Sequence, residues 1–181
     1  MKQVLTIVSC SFIHNVKRVD KIFEALQLLQ MPIRWIHFGD GVDMLKIQRL
    51  VESARNGLEV ELAGYKSTEE IAAFYSVNPV HLFINFSSSE GIPVSMMEAI
   101  SFGIPLVGTD VGGTAEIINS ITGVLLQPSA TPSDLADAID AATKKLTFDR
   151  QAIRRLWENK FSLIENAKKI QKVLLNSQTD D

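Results

Sequence analysis

Two rhythms of apolar residues alternate along the chain. Short runs rich in β-branched and large apolar side chains occur at Val4 to Ser9, Ile33 to Phe38, Leu58 to Leu62, His81 to Phe86, Pro105 to Thr109 and Gly123 to Leu126. Their length and apolar content predict strands, and Val4 to Ser9 and His81 to Phe86 are apolar enough to read as buried. Between them, apolar residues recur three or four apart. The first such segment, Val16 to Leu29, sets Val19, Ile22, Phe23, Leu26 and Leu29 on one helical face. Helices are likewise predicted from Met44 to Ala54, from Thr68 to Tyr75 with Ser67 or Thr68 as cap, from Val94 to Phe102, from Ser133 to Ala142, and from Thr147 to Leu175 with Trp157 and Phe161 as anchors. Gly39-Asp-Gly41 and Gly64 mark turns, and Asn176 to Asp181 read as a frayed polar tail. Strict βαβα order predicts a three-layer α/β/α domain over residues 1–175, Rossmann-like, with a parallel sheet of about six strands. Ligands of such sheets bind beyond the carboxyl ends of the strands.

Composition narrows the classes. With 181 residues and 46% apolar content the chain can bury a real core. Its 18 basic and 21 acidic residues leave a net charge of −3, which gives no general attraction to nucleic acid, so a phosphate site must be local. The single cysteine, Cys10, rules out an internal disulfide and sits in an apolar run, as a core residue would. No stretch reaches the roughly 20 apolar residues that span a bilayer, and Met1 to Val8 read as a first strand, not a signal peptide. A soluble cytoplasmic protein is the expectation, with peripheral membrane association of a larger assembly left open.

Candidate chemistry centres on residues 87–98, where a polar loop follows the fourth strand and a helix follows the loop. Pro93 suits the first helical turn, and the free N–H groups there favour an anion such as phosphate. Glu90 in the loop and Glu98 in the helix would repel phosphate, so they read as acceptors for hydroxyl groups flanking it. The same spacing also suits a turn-capping Glu90 and a solvated Glu98. Lys17, at the start of the first helix, stands at the same sheet edge and could neutralise a diphosphate, with Arg18 as neighbour or substitute; a solvated lysine is the plainer alternative. Gly112 and Gly113 lack a Cβ and so permit a ligand to approach the backbone, with the Thr114 hydroxyl nearby, or simply make a turn. His37 and His81 fall in apolar strands, as structural histidines do, while His14 lies in the first loop. Zinc-ligand spacing, a G-x-G-x-x-G after the first strand and a G-x-S-x-G elbow are all absent.

The run EGIPVSMMEAISFGIPLVGTDVGGTAE, residues 90–116, with Thr122 to Leu126, resembles the donor-binding half of group 1 (family 4) retaining glycosyltransferases. Val8 to Ser11, Lys17 to Asp20, Gly39 to Gly41, Gly64-Tyr65 and Phe161-Ser162 follow the same pattern in order. The resemblance implies the C-terminal domain of a GT-B enzyme that binds a UDP-, GDP- or similar nucleotide sugar without an essential metal. By it, Glu90 lies by the transferred sugar, Glu98 by the ribose, Gly91, Ile92 and Pro93 by sugar hydroxyls and phosphate, and Lys17 by the diphosphate. Where many relatives carry an arginine five positions before that lysine, this chain has Phe12, which puts Arg18 or another domain in question as the compensating cation. The resemblance further implies a missing N-terminal acceptor domain, without which transfer is weak or absent. A nucleotide-sugar epimerase half and a non-catalytic nucleotide-binding module are the rival readings.

Overall fold

A computed structural model describes residues 4–144 and 148–162. Six parallel strands form one sheet: β1 (Leu5–Cys10), β2 (Ile33–Phe38), β3 (Leu58–Leu62), β4 (Leu82–Asn85), β5 (Leu106–Thr109) and β6 (Gly123–Leu126). Their spatial order is β3-β2-β1-β4-β5-β6, so the chain reverses its direction of travel between β1 and β4. In parallel sheets of this kind the carboxyl edge at such a switch point is where ligands bind. The register pairs Leu5 with Ile33, Cys10 with Phe38 and Val8 with Phe83.

Period-two alternation within the strands feeds two cores. Ile7, Trp35, Ile84 and Val107 face one side, where α1 (Val19–Leu28), α2 (Met44–Val51) and α6 (Pro132–Lys144) close over them. Val8, Ile36, Phe83 and Leu106 face the other, under α3 (Thr68–Val77), α4 (Val94–Ser101), the short α5 (Thr114–Ile117) and α7 (Arg150–Lys160). Full burial of a side chain such as Phe23 or Phe83 contributes about 1.5–3 kcal/mol, which is why both faces of the sheet hold their helices.

Local chemistry fixes the helix starts. Ser67 and Glu70 form a reciprocal capping box before α3, and Asp149 accepts from two backbone N–H groups before α7. The surroundings of some helix starts differ from the sequence expectation. The first helix begins at Val19, not Val16, because a 3-10 turn at Asn15–Lys17 and a left-handed Arg18 (φ 48°) intervene. Pro93 stands just outside α4 as its cap, with extended backbone, instead of in the first turn. The third helix runs two residues beyond its expected end. The helix expected over 147–175 is described as α7 alone, and the rest of it and the tail lie outside the described residues.

Candidate functional site

Three neighbouring segments hold the loop that leaves β4. The Arg18 guanidinium donates through Nε to the Phe86 carbonyl (2.7 Å) and through Nη2 to the Ser87 carbonyl (2.9 Å), and lies 4.4 Å from the Phe86 ring centroid. The Thr109 hydroxyl, from the end of β5, donates to the same Ser87 carbonyl. Further along, Ser88 N–H donates to Val16 O and Gly113 N–H to Gly91 O, both at 2.8 Å. Gly112 is left-handed (φ 54°), and a Cβ there would lie 2.0 Å from Glu90 O. Only glycine lets the two loops meet this closely.

Within this frame the structure brings Lys17 and Glu90 together. Lys17 Nζ lies 2.7 Å from both carboxylate oxygens, with side chains 20% and 7% exposed. Asn85, the last residue of β4, donates from Nδ2 to Glu90 Oε1 at 3.0 Å. Burial alone would push the Glu90 carboxyl up; hydrogen bonds led by that from Lys17, with the Lys17 charge, outweigh it and hold the group below its ordinary range. Glu98 has the opposite fate. Half-buried on α4, its carboxyl is raised by burial, opposed by a Thr68 hydrogen bond. Among the described residues no ion pair joins it to Lys17.

The remaining predicted residues divide by what they touch. Arg18 is engaged with backbone carbonyls, so the structure uses it to hold the β4-exit loop. Gly112 and Gly113 meet the Glu90–Ile92 segment, so the close approach they permit is that of another loop of this chain. Thr114 is 1% exposed, and its hydroxyl is buried without a hydrogen-bond partner among the described residues. Gly91 and Ile92 are exposed at the rim, while Pro93 is buried. His81 accepts from Thr6 N–H at the amino edge, away from this site. His37 lies in a buried chain: Trp35 Nε1–H donates to Ser9 Oγ, Ser9 pairs with His37 Nδ1 at 2.8 Å, and His37 Nε2 faces the Ser11 carbonyl at 3.2 Å. Since a carbonyl only accepts, Nε2 carries the proton. Burial pushes the imidazole down to about 4, and the Ser11 bond opposes that.

One feature of the site has only a faint sequence signal. A cavity of about 350 Å³ opens at the carboxyl ends of β1 and β2, lined by Cys10, Phe12, Phe38, Gly39, Tyr65 and Lys66. Phe12 and Tyr65 are 57% and 79% exposed, unusual for large rings. Three separate loops build this wall, so only the glycines beside two of them hint at it. Gly39 is required there, because a Cβ would lie 1.9 Å from Ser11 O. The Cys10 thiol at its floor is pushed up to about 11, by burial and then by the Glu98 charge, which leaves it protonated and poorly nucleophilic near neutral pH.

The described residues hold no cluster of three or more His, Cys, Asp or Glu suited to a metal ion. They include no helix long and apolar enough to cross a membrane.

Residues 2–169 match the family model described as glycosyl transferases group 1. A curated relative, the putative colanic acid biosynthesis glycosyltransferase WcaL of Escherichia coli, is 28% identical over 155 residues, covering 82% of this chain and 38% of its own length. The apo structure of the lipopolysaccharide outer core galactosyltransferase WaaB superposes with a TM-score of 0.80 at 21% identity, covering 98% of this chain and 50% of that one. HepE from Anabaena, in complex with UDP-glucose, superposes with a TM-score of 0.74 at 18% identity, covering 95% and 49%. The chain thus spans half or less of the length of each.

Proposed function

We infer that this chain, which belongs to the glycosyl transferases group 1 family, is the nucleotide-sugar-binding half of a retaining sugar transferase. The observation that carries the reading is the Lys17–Glu90 pair, held at the carboxyl edge where the strand order switches between β1 and β4. A cation and a carboxylate side by side suit adjacent parts of one ligand: the lysine a diphosphate, the carboxylate a hydroxyl of the sugar that ends it. The ring-lined cavity between Phe12 and Tyr65 suits a flat base at the other end of that ligand. Glu98 is assigned to the ribose, between base and diphosphate.

In the proposed reaction a sugar moves from a nucleoside diphosphate to an acceptor hydroxyl with retention at the anomeric carbon. Lys17 and the N–H groups at the start of α4 stabilise charge growing on the leaving phosphate. Glu90 orients the sugar. The acceptor and the rest of the catalytic groups come from a second domain, consistent with the chain's spanning half of the WaaB structure. The chain alone therefore binds donor weakly and transfers poorly. Polysaccharide or glycoconjugate synthesis in the cytoplasm is the proposed setting, and the likeness to WcaL supports the polysaccharide part.

Calorimetric titration of the chain with UDP, GDP, UDP-glucose and GDP-mannose tests the reading. One base is expected to bind in preference to the other, and Glu98→Ala to weaken it about tenfold through the lost ribose bonds. Equal or absent binding across all four ligands overturns the assignment.

A further inference from the structure

Lys17 and Asn85 grip Glu90 from two sides that differ in permanence. Lys17 approaches on a four-carbon stem from a 3-10 turn, is partly exposed, and ends in a mobile point charge. Asn85 approaches from β4, where its backbone is registered against Gly108 of β5. Its amide cannot turn over. Oδ1 accepts from Ser87 N–H at 3.2 Å and from the Ser87 hydroxyl at 2.6 Å. A flipped amide would set Nδ2 against the backbone N–H, donor to donor, so Nδ2 is directed at Glu90 Oε1.

We propose that Asn85 is a positioning residue: it keeps the Glu90 carboxylate in place when a diphosphate draws Lys17 away, leaving Glu90 Oε2 free to accept a hydroxyl of the transferred sugar. The proposal rests on the donor-site reading above and deepens it. Without ligand, Glu90 occupies the ammonium that a phosphate needs, so a bare diphosphate must compete with an internal carboxylate at 2.7 Å. With a sugar attached, the carboxylate that loses Lys17 gains the sugar hydroxyl. The exchange therefore favours the intact donor over the spent diphosphate, which is the direction product release requires. Oε1 keeps its Asn85 bond throughout, so the freed carboxylate neither swings into solvent nor follows the lysine toward the phosphate.

The test uses the full chain, titrated with UDP and GDP and with UDP-glucose and GDP-mannose, taking the pair that shows the larger gain from the sugar. Asn85→Ala is expected to leave the bare diphosphate within about twofold of wild type and to remove about tenfold of the gain from the sugar, one charge-assisted hydrogen bond's worth. A merely structural role would weaken both ligands alike, and that outcome overturns the proposal. Glu90→Gln supplies a measurement that does not depend on Asn85 variants folding. Freeing Lys17 raises the competent fraction, so bare diphosphate should bind about tenfold more tightly. In a Lys17→Met background the same change should have no effect, because the gain runs through the lysine. Tightening that persists without Lys17 is a general field effect and overturns the exchange. Wild-type chain that binds diphosphates but gains nothing from any sugar overturns the exchange alone, whereas no binding of any diphosphate overturns the donor-site reading along with it.

Discussion

The carboxyl and amino edges of the sheet spend their polar side chains differently. At the amino edge the described ties run from side chain to backbone: Arg150 Nη1 donates to the Val80 carbonyl at 2.7 Å, and His81 Nδ1 accepts from Thr6 N–H at 3.0 Å. Such bonds satisfy buried backbone groups of the chain itself, and a ligand that took their place would loosen the chain. At the carboxyl edge two adjacent cations divide the work. Arg18 holds the Phe86 and Ser87 carbonyls as Arg150 holds Val80, while Lys17 and Glu90 are tied only to other side chains. A side-chain pair can be taken over by a ligand carrying the same charges. The contrast separates scaffold from site better than exposure does, since Glu90 is nearly buried.

Lys17→Met should give the largest effect. Under the proposed function, loss of the cation assigned to the leaving diphosphate should lower the transfer rate of the whole enzyme by two to three orders of magnitude, and it should lower the urea midpoint too, because the nearly buried Glu90 carboxylate loses its cation. A loss below threefold would move Lys17 to the scaffold side. Next in size is a pH effect on stability. His37 is held neutral by burial, with its folded value lowered from 6.5 to about 4. Between these values the unfolded chain binds a proton that the folded chain refuses. Stability is therefore complete above about pH 6.5 and falls as pH drops toward 4, by a total on the order of 3 kcal/mol. His37→Gln retains one acceptor for Ser9 and one donor for Ser11 without titrating, so its urea midpoint should be flatter across that window. Third is Arg18→Ala, which leaves two carbonyls without their charged donor and should cost about 2 kcal/mol of stability. Lysine should not restore it, because the Nε and Nη2 fork is lost. Donor affinity per folded molecule should stay within twofold; a tenfold fall with stability intact would instead return Arg18 to the ligand.

The strands were legible nearly to the residue, because central strands read as apolar runs between turn signals and the edge strand β3 as alternation of apolar residues with Glu59 and Glu61. Ile33–Phe38 and Leu58–Leu62 match their expected bounds. Whatever depends on distant segments was not legible. Arg18 adopts a left-handed backbone with no glycine or asparagine to announce it, while its side chain bonds to carbonyls 68 and 69 residues away. Gly112 advertised a close approach, but its partner, the Glu90 carbonyl, belongs to another loop of the same chain. At the site, resemblance and charge singled out Lys17 and Glu90 separately. Neither could show that they would be paired to each other, nor that Asn85, polar at the end of an apolar strand, would turn its amide toward the carboxylate. The cavity walled by Phe12 and Tyr65 is assembled from three loops, and the periodicity of one chain segment carries no information about that.

The smallest expected effect tests the amino edge. Arg150 reaches one carbonyl through one N–H, from the first residue of α7, and sits beside a cavity of about 250 Å³ also lined by His81 and Phe148. Replacing it with alanine removes that bond but opens the Val80 carbonyl to water through the same cavity. The penalty should therefore stay near 1 kcal/mol, below that for Arg18, which holds two carbonyls through two N–H groups. Burial lowers the Arg150 guanidinium, yet it remains charged at neutral pH, so salt should change little. Donor affinity should not change at all, because the bond lies at the opposite end of β4 from Asn85. If Arg150→Ala weakened donor binding more than threefold while the urea midpoint held, the two edges would be coupled through β4, and the division between permanent and exchangeable ties would fail where it is drawn most sharply.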